Sequence, residues 1–184
     1  MARSALATLM LWGLLCVPPQ AVASPFSVES LGTELAGGVY HLNARIDYDL
    51  PDVLLDALAN GVELVIEVDV EIVRERGWWF DEDVASISLR HQLAYYALSR
   101  MYVVRNLNTG VQTTFPSLYS ALHAIGTLRG FPLLDASLLD PTEVYQVRLR
   151  ARILPEELPL PLRARAYIDS DWRPSSDWYV WSLP

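Results

Sequence analysis

Lysine is absent from this sequence: all 14 basic residues are arginines, set against 22 acids. An excess of acid excludes general nucleic-acid binding, which needs a basic footprint. Arginine without lysine favours fixed, planar pairing with carboxylates. Cysteine occurs once, at Cys16 near the N-terminus. The bulk of the chain therefore has no disulfide and must stand on its hydrophobic core. Histidine occurs three times, at His41, His91 and His123, with no metal-ligand spacing. HExxH, GxSxG and CxxC are all missing. No metal and no cofactor is expected. A Ser–His–acid triad assembles from distant positions, and no motif here points to one. Long apolar runs are missing too: none reaches the ~20 residues a spanning helix needs.

The N-terminus reads as a targeting segment. Arg3 precedes an apolar run of twelve residues, Ala5 to Cys16. Pro18 and Pro19 break the run, and Ala21-Val22-Ala23 is a small-x-small cleavage site. Residues 1–23 are expected to be a signal peptide cleaved before Ser24, with a periplasmic destination. Lipidation of Cys16 is not expected, because Leu14 and Leu15 precede it rather than a small residue. Removing residues 1–23 of 184 leaves 161, with 13 arginines against 22 acids and a net charge of −9. That length suits one core and one domain, residues 24–184.

Alternation with a period of two dominates the chain from Tyr40 onward. Tyr40, Leu42, Ala44, Ile46 and Tyr48 share one face of a strand. "PDVLLDALANG" is a short helix, with Pro51 at its start and Gly61 at its end. Val62, Leu64, Ile66, Val68, Val70 and Ile72 then fall on one face, and Glu63, Val65, Glu67, Asp69, Glu71 and Val73 on the other. Ala85 to Ala97 alternates again, with His91 on the apolar face as a satisfied core histidine. "MYVVRNLNTGVQTTF" gives two strands joined at Asn108-Thr109-Gly110. A second helix is expected over about 117–128. "GFPLLDASLLDP" reads as a loop. Tyr145, Val147, Leu149, Ala151 and Ile153 alternate with Gln146, Arg148, Arg150 and Arg152. The prolines of "LPLPL" exclude a central strand, leaving an edge or crossing segment. Ala164 to Ile168 opens a closing hairpin that "DWRPSSDW" turns and residues 178–183 complete. Residues 24–36 look weakly ordered. The sum is mainly β: an antiparallel β-sandwich, immunoglobulin-like in general architecture, with two short helices.

The segments "YHLNARIDYDLPDVLLDALANGVELVIEVDVEI", "RGWWFDEDVA", "LAYYALSRMYVVRNLNTG", "FPSLYSALHAIG", "LPLPLRARAYI" and "DWRPSSDWYVWSL" together resemble the DUF4390 family of exported proteobacterial proteins. The resemblance covers nearly all of the chain after residue 23. It implies an uncharacterised domain with no assigned catalytic residues, and a link to envelope signalling.

Two groups of residues invite a functional reading. "RERGWWFDED" places Trp78, Trp79, Phe80 and Asp81 in a hairpin connection between strands ending near Arg74 and starting near Val84. A second aromatic cluster holds Trp172, Trp178 and Trp181. Trp178 and Trp181 differ in parity, so at most one faces the core. Aromatic rings on turns serve either to close a core or to anchor a partner, here an envelope protein or peptide. Glu63, Glu67, Asp69 and Glu71 share a sheet face. Pairing with the equally spaced Arg148, Arg150 and Arg152 is the expected arrangement, and each cross-strand pair of opposite charge contributes about 0.2–1 kcal/mol. Asp169, Asp171 and Asp177 read as caps and turn residues. The resulting expectation is an exported, non-catalytic binding or accessory module. The alternative is a small carboxylate-based hydrolase using Glu67, Asp69 or Glu71, which requires a concave site with paired acids.

Overall fold

Strand-forming alternation becomes sheet over most of the chain in the computed structural model, which describes residues 24–77 and 81–184. Nine strands form two antiparallel sheets. The first has the order β1 (Phe26–Ala36), β2 (Val39–Tyr48), β7 (Thr127–Asp135). The second has the order β6 (Gln112–Phe115), β5 (Met101–Asn106), β4 (Glu82–Tyr96), β3 (Leu64–Arg74), β8 (Tyr145–Ile153), β9 (Tyr179–Ser182).

Helices sit where the chain changes sheet. After β2, α1 (Asp52–Ala59) carries it to β3; after β6, α2 (Leu118–Gly126) carries it back to β7. Ser117 caps α2: its Oγ accepts from Ser120 N–H, and Ser120 answers with its own hydroxyl at the Ser117 N–H. Such a reciprocal cap satisfies donors the first helical turn leaves open. At the other end, Gly126 lies against β2. A Cβ placed there would sit 2.1 Å from the Ile46 carbonyl oxygen, so only glycine allows α2 this approach.

The apolar face of β3 meets Leu93, Leu89 and Ile87 of β4 on one side and Ile153, Ala151, Leu149 and Val147 of β8 on the other. Ile66, Ile72, Leu149 and Ile153 are fully buried. Each such side chain contributes about 1.5–3 kcal/mol relative to exposure. Opposite them lie Phe26, Leu42 and Ile46 of the smaller sheet, with the Phe26 and Tyr48 rings edge to face at 4.9 Å. A third helix, α3 (Leu160–Ala166), and a 3₁₀ turn at Ser170–Trp172 complete this core with Leu158, Ala166 and Trp172.

Four expectations need correction. Residues 26–36 are a full strand, not a weakly ordered segment. A bulge between Val28 and Ser30 shifts the buried positions from Phe26 to Leu31, and this hides the period of two. "TLRGFPLLD" is strand β7 and not a loop. Its Pro132 is tolerated because β7 lies at a sheet edge. Residues 160–166 are helix, so the α-helices number three among the described residues. Pro159 stands at the cap and Pro161 in the first turn, where proline's missing N–H costs nothing. The closing hairpin is therefore reduced to β9, which pairs with β8. The hairpin between β3 and β4 is where it was expected, with Arg74 opposite Glu82. Among the described residues no helix is long and apolar enough to cross a membrane.

Candidate functional site

The polar side of β3 is built by register. Glu67 lies between Arg90 and Arg152, Asp69 between Ser88 and Arg150, and Glu71 between Ser86 and Arg148. Glu67 is only 1% exposed, yet both carboxylate oxygens are occupied. Oε2 accepts from Arg90 Nε at 2.6 Å, and Oε1 from Arg152 Nε at 3.0 Å and Nη2 at 2.5 Å. Asp69 takes Arg150 Nη2 at 3.2 Å, Arg152 Nε at 3.2 Å and the Ser88 hydroxyl at 3.1 Å. Arg152 thus bridges the two acids. Burial pushes the Glu67 carboxyl up, but the hydrogen bonds and charges of Arg90 and Arg152 outweigh it and hold the group below the usual carboxylate range. The carboxylates lie underneath, and the partly exposed guanidiniums of Arg90, Arg150 and Arg152 lie over them.

The aromatic candidates separate onto different surfaces. Trp178 is half-buried, with the Arg150 guanidinium carbon 4.4 Å from its ring centroid. Because Arg148 pairs with Val180, Trp178 belongs to the arginine side of the sheet. Asp81 joins the same surface through an ion pair with Arg148. Trp181 pairs with Val147 and so faces the core side, but at the sheet edge it stays 42% exposed. The parity expectation for these two rings therefore holds. Trp172 is buried and fills the core beside α1 and α3, so it is no contact residue. Trp78, Trp79 and Phe80 lie outside the described residues. Asp169 accepts from the Asp171 N–H at 3.1 Å and caps the 3₁₀ turn as expected. Glu67, Asp69 and Glu71 line none of five well-formed cavities among the described residues. Among the described residues no group of three His, Cys, Asp or Glu side chains converges as a metal site would require.

A second polar cluster, missed in the sequence apart from His91 itself, lies on the opposite face. His91 pairs across strands with Asn106. The Asn106 amide nitrogen lies 3.3 Å from His91 Nε2, while its Oδ1 accepts from the N–H groups of Asn108 and Thr109, each at 2.9 Å. Those two bonds fix which end of the amide faces the ring, so Nε2 is the acceptor and Nδ1 carries the hydrogen. Asn108 then ties the turn to β4, accepting from Arg90 N–H at 2.8 Å and donating to the Ser88 carbonyl at 2.9 Å. His91 is only half-buried, and its Nδ1 is buried with no partner among the described residues. The expectation of a satisfied core histidine holds for one ring nitrogen only. Burial pulls the His91 pKa below its ordinary value. The signal in the sequence was the break in the apolar face, which reads Leu89, His91, Leu93.

Two antiparallel sheets around one core, with an ion-paired outer face, define a β-sandwich domain. The chain belongs to the DUF4390 family: the model of this domain of unknown function matches residues 23–182. Comparison with curated proteins and with solved structures finds no match.

Proposed function

We propose that the chain is an exported, periplasmic binding or accessory module whose contact surface is the arginine face bordered by Trp178. The observation that carries this reading is the preorganisation of that face. Glu67 and Asp69 hold three guanidiniums from beneath. Each guanidinium has five N–H donors, and only part of this capacity is used by the acids. A partner presenting carbonyl or carboxylate oxygens, such as an envelope protein or peptide, would meet donors that need little ordering on binding. Trp178 adds a rigid aromatic border of the kind that anchors interfaces. A role in envelope signalling fits such a module.

The alternative reading, carboxylate-based hydrolysis, is weaker. Glu67 is held ionised with both oxygens engaged, so it has no proton to donate. The acids also lie under arginines and outside the cavities.

The test uses the protein with its N-terminus at Ser24 as bait for envelope fractions. Trp178→Ala, alone and with Arg148→Ala, should keep the fold and lose the captured partner. Retention of every partner by a double variant of wild-type stability sinks this assignment of the surface. N-terminal sequencing of the protein from fractionated cells tests export; an intact leader in the cytoplasm sinks that part.

A further inference from the structure

The six-stranded sheet is wider than the three-stranded sheet facing it, and α2, nine residues long, packs over β5 and β6. A cleft of about 350 Å³ opens there. Val104, Val111, Phe115 and Ile125 supply apolar walls, and exposed Ala124 stands among the lining residues on α2. No charged residue lines it, in a chain that is 20% charged. Its polar lining comes from His91, Asn106, Thr109 and Thr113. His91 and Asn106 face each other across strands, and Thr113 pairs with Val104 on the next strand. An otherwise apolar sheet face therefore turns polar beside this cleft. Departures of this kind from local consistency are expected at functional or strained sites.

We propose that this cleft binds a small, uncharged ligand with an apolar, ring-sized body and one hydrogen-bonding group. Its volume falls within the range of small-molecule sites, and such sites combine apolar walls with a few placed polar groups. The lack of lining charge selects against ions, since a charged ligand would lose hydration without a counter-charge. The walls take the apolar body. The Asn106 amide takes the polar group: the turn already fixes it, and its nitrogen has a second hydrogen beyond the one toward His91 Nε2. This site lies on the other face of the sheet from the arginine surface and does not depend on it.

The probes are 2-naphthol and 2-methylnaphthalene, which share a body and differ in the hydroxyl, titrated into the purified protein by calorimetry. Saturable one-to-one binding is expected, with the naphthol bound about tenfold more tightly because the site offers its hydroxyl a partner. Asn106→Leu should erase that preference while keeping the methylnaphthalene. Ala124→Trp should fill the cleft and lose both probes at an unchanged melting temperature. If that variant fails to fold, Thr113→Trp fills the cleft from β6 instead. The proposal is overturned by absence of saturable binding to the wild type. Undiminished binding by a folded filled variant, or a naphthol preference that survives Asn106→Leu, overturns it equally.

Discussion

The six-stranded sheet carries a polar cluster on each face, and the two are finished differently. On the outer face Glu67 and Asp69 have every oxygen occupied, and Arg152 serves both. On the inner face His91 has one ring nitrogen matched by Asn106 and one left over. The outer acids are fully matched, though Arg150 Nε is itself buried without a partner, so the acids act as structure and the arginine edges face outward. The inner cluster is incomplete and borders a cleft. A buried polar group with no partner costs about 1–3 kcal/mol. The comparison separates carboxylates matched on every oxygen from a histidine matched on one ring nitrogen only.

The hardest break should come from the wall of the inner cleft. Gly126→Ala places a carbon within 2.1 Å of the Ile46 carbonyl, so α2 must lift from β2. Overpacking against backbone is expected to cost about 3 kcal/mol in denaturant unfolding. A variant that unfolds with the wild type would mean α2 sits more loosely than described.

Next in size is Arg152→Ala, which removes the bridge and leaves Glu67 with Arg90 alone. Losing one partner of a buried pair costs about 3–5 kcal/mol. Because Arg152 is itself partly exposed, about 2–3 kcal/mol is expected here. Arg148→Ala, whose partner Asp81 lies near the surface, should cost under about 1 kcal/mol. Equal losses from the two would erase the distinction between the buried ladder and its rim.

Acid should sharpen the comparison by attacking the two clusters from different starting points, near 6.5 for His91 and near 4.5 for Glu67. The unfolded His91 ring titrates near 6.5 and the folded ring lower, so the unfolded chain binds more protons between those values. This contribution to stability is full above 6.5, falls as acid passes through the folded value, and then levels off. His91→Leu should flatten that step. Glu67 also has a lowered folded pKa, so its contribution is lost only below about its unfolded value of 4.5. Melting temperatures across the pH range resolve the two; a first step that persists in His91→Leu would assign it elsewhere.

Smallest is the effect of Trp178→Ala on stability. Loss of the stack with Arg150 should cost about 0.5–1 kcal/mol, with any larger consequence appearing in partner capture. A cost of several kcal/mol would make Trp178 a core residue.

The outer cluster was legible in the sequence because charge and register share the same period. Glu67, Asp69 and Glu71 repeat every second residue, as do Arg152, Arg150 and Arg148, and antiparallel pairing matches them one for one. The Arg150–Trp178 stack followed only once β9 was placed beside β8. The inner cluster was nearly silent. His91 stood out by interrupting an apolar face, but Asn106 and Asn108 resembled ordinary turn residues, and their bonds back to β4 depend on how the turn folds over it. Among the elements, β1 and α3 escaped for local reasons. The bulge after Val28 broke the alternation of one, and prolines that read as interruptions were the first turn of the other.

The bulge in β1 and the proline in β7 have a consequence for aggregation. The free margins of a sheet can template strands from other chains. β1, whose outer side is unpaired, is interrupted at its bulge, which leaves residues 30–36 as its regular stretch. β7 carries Pro132, positive-φ Gly130 and two shifts of register. β6 and β9, at the margins of the larger sheet, are four residues each. Apart from residues 30–36 of β1, the margins among the described residues are short or broken, which works against edge-to-edge pairing with other chains.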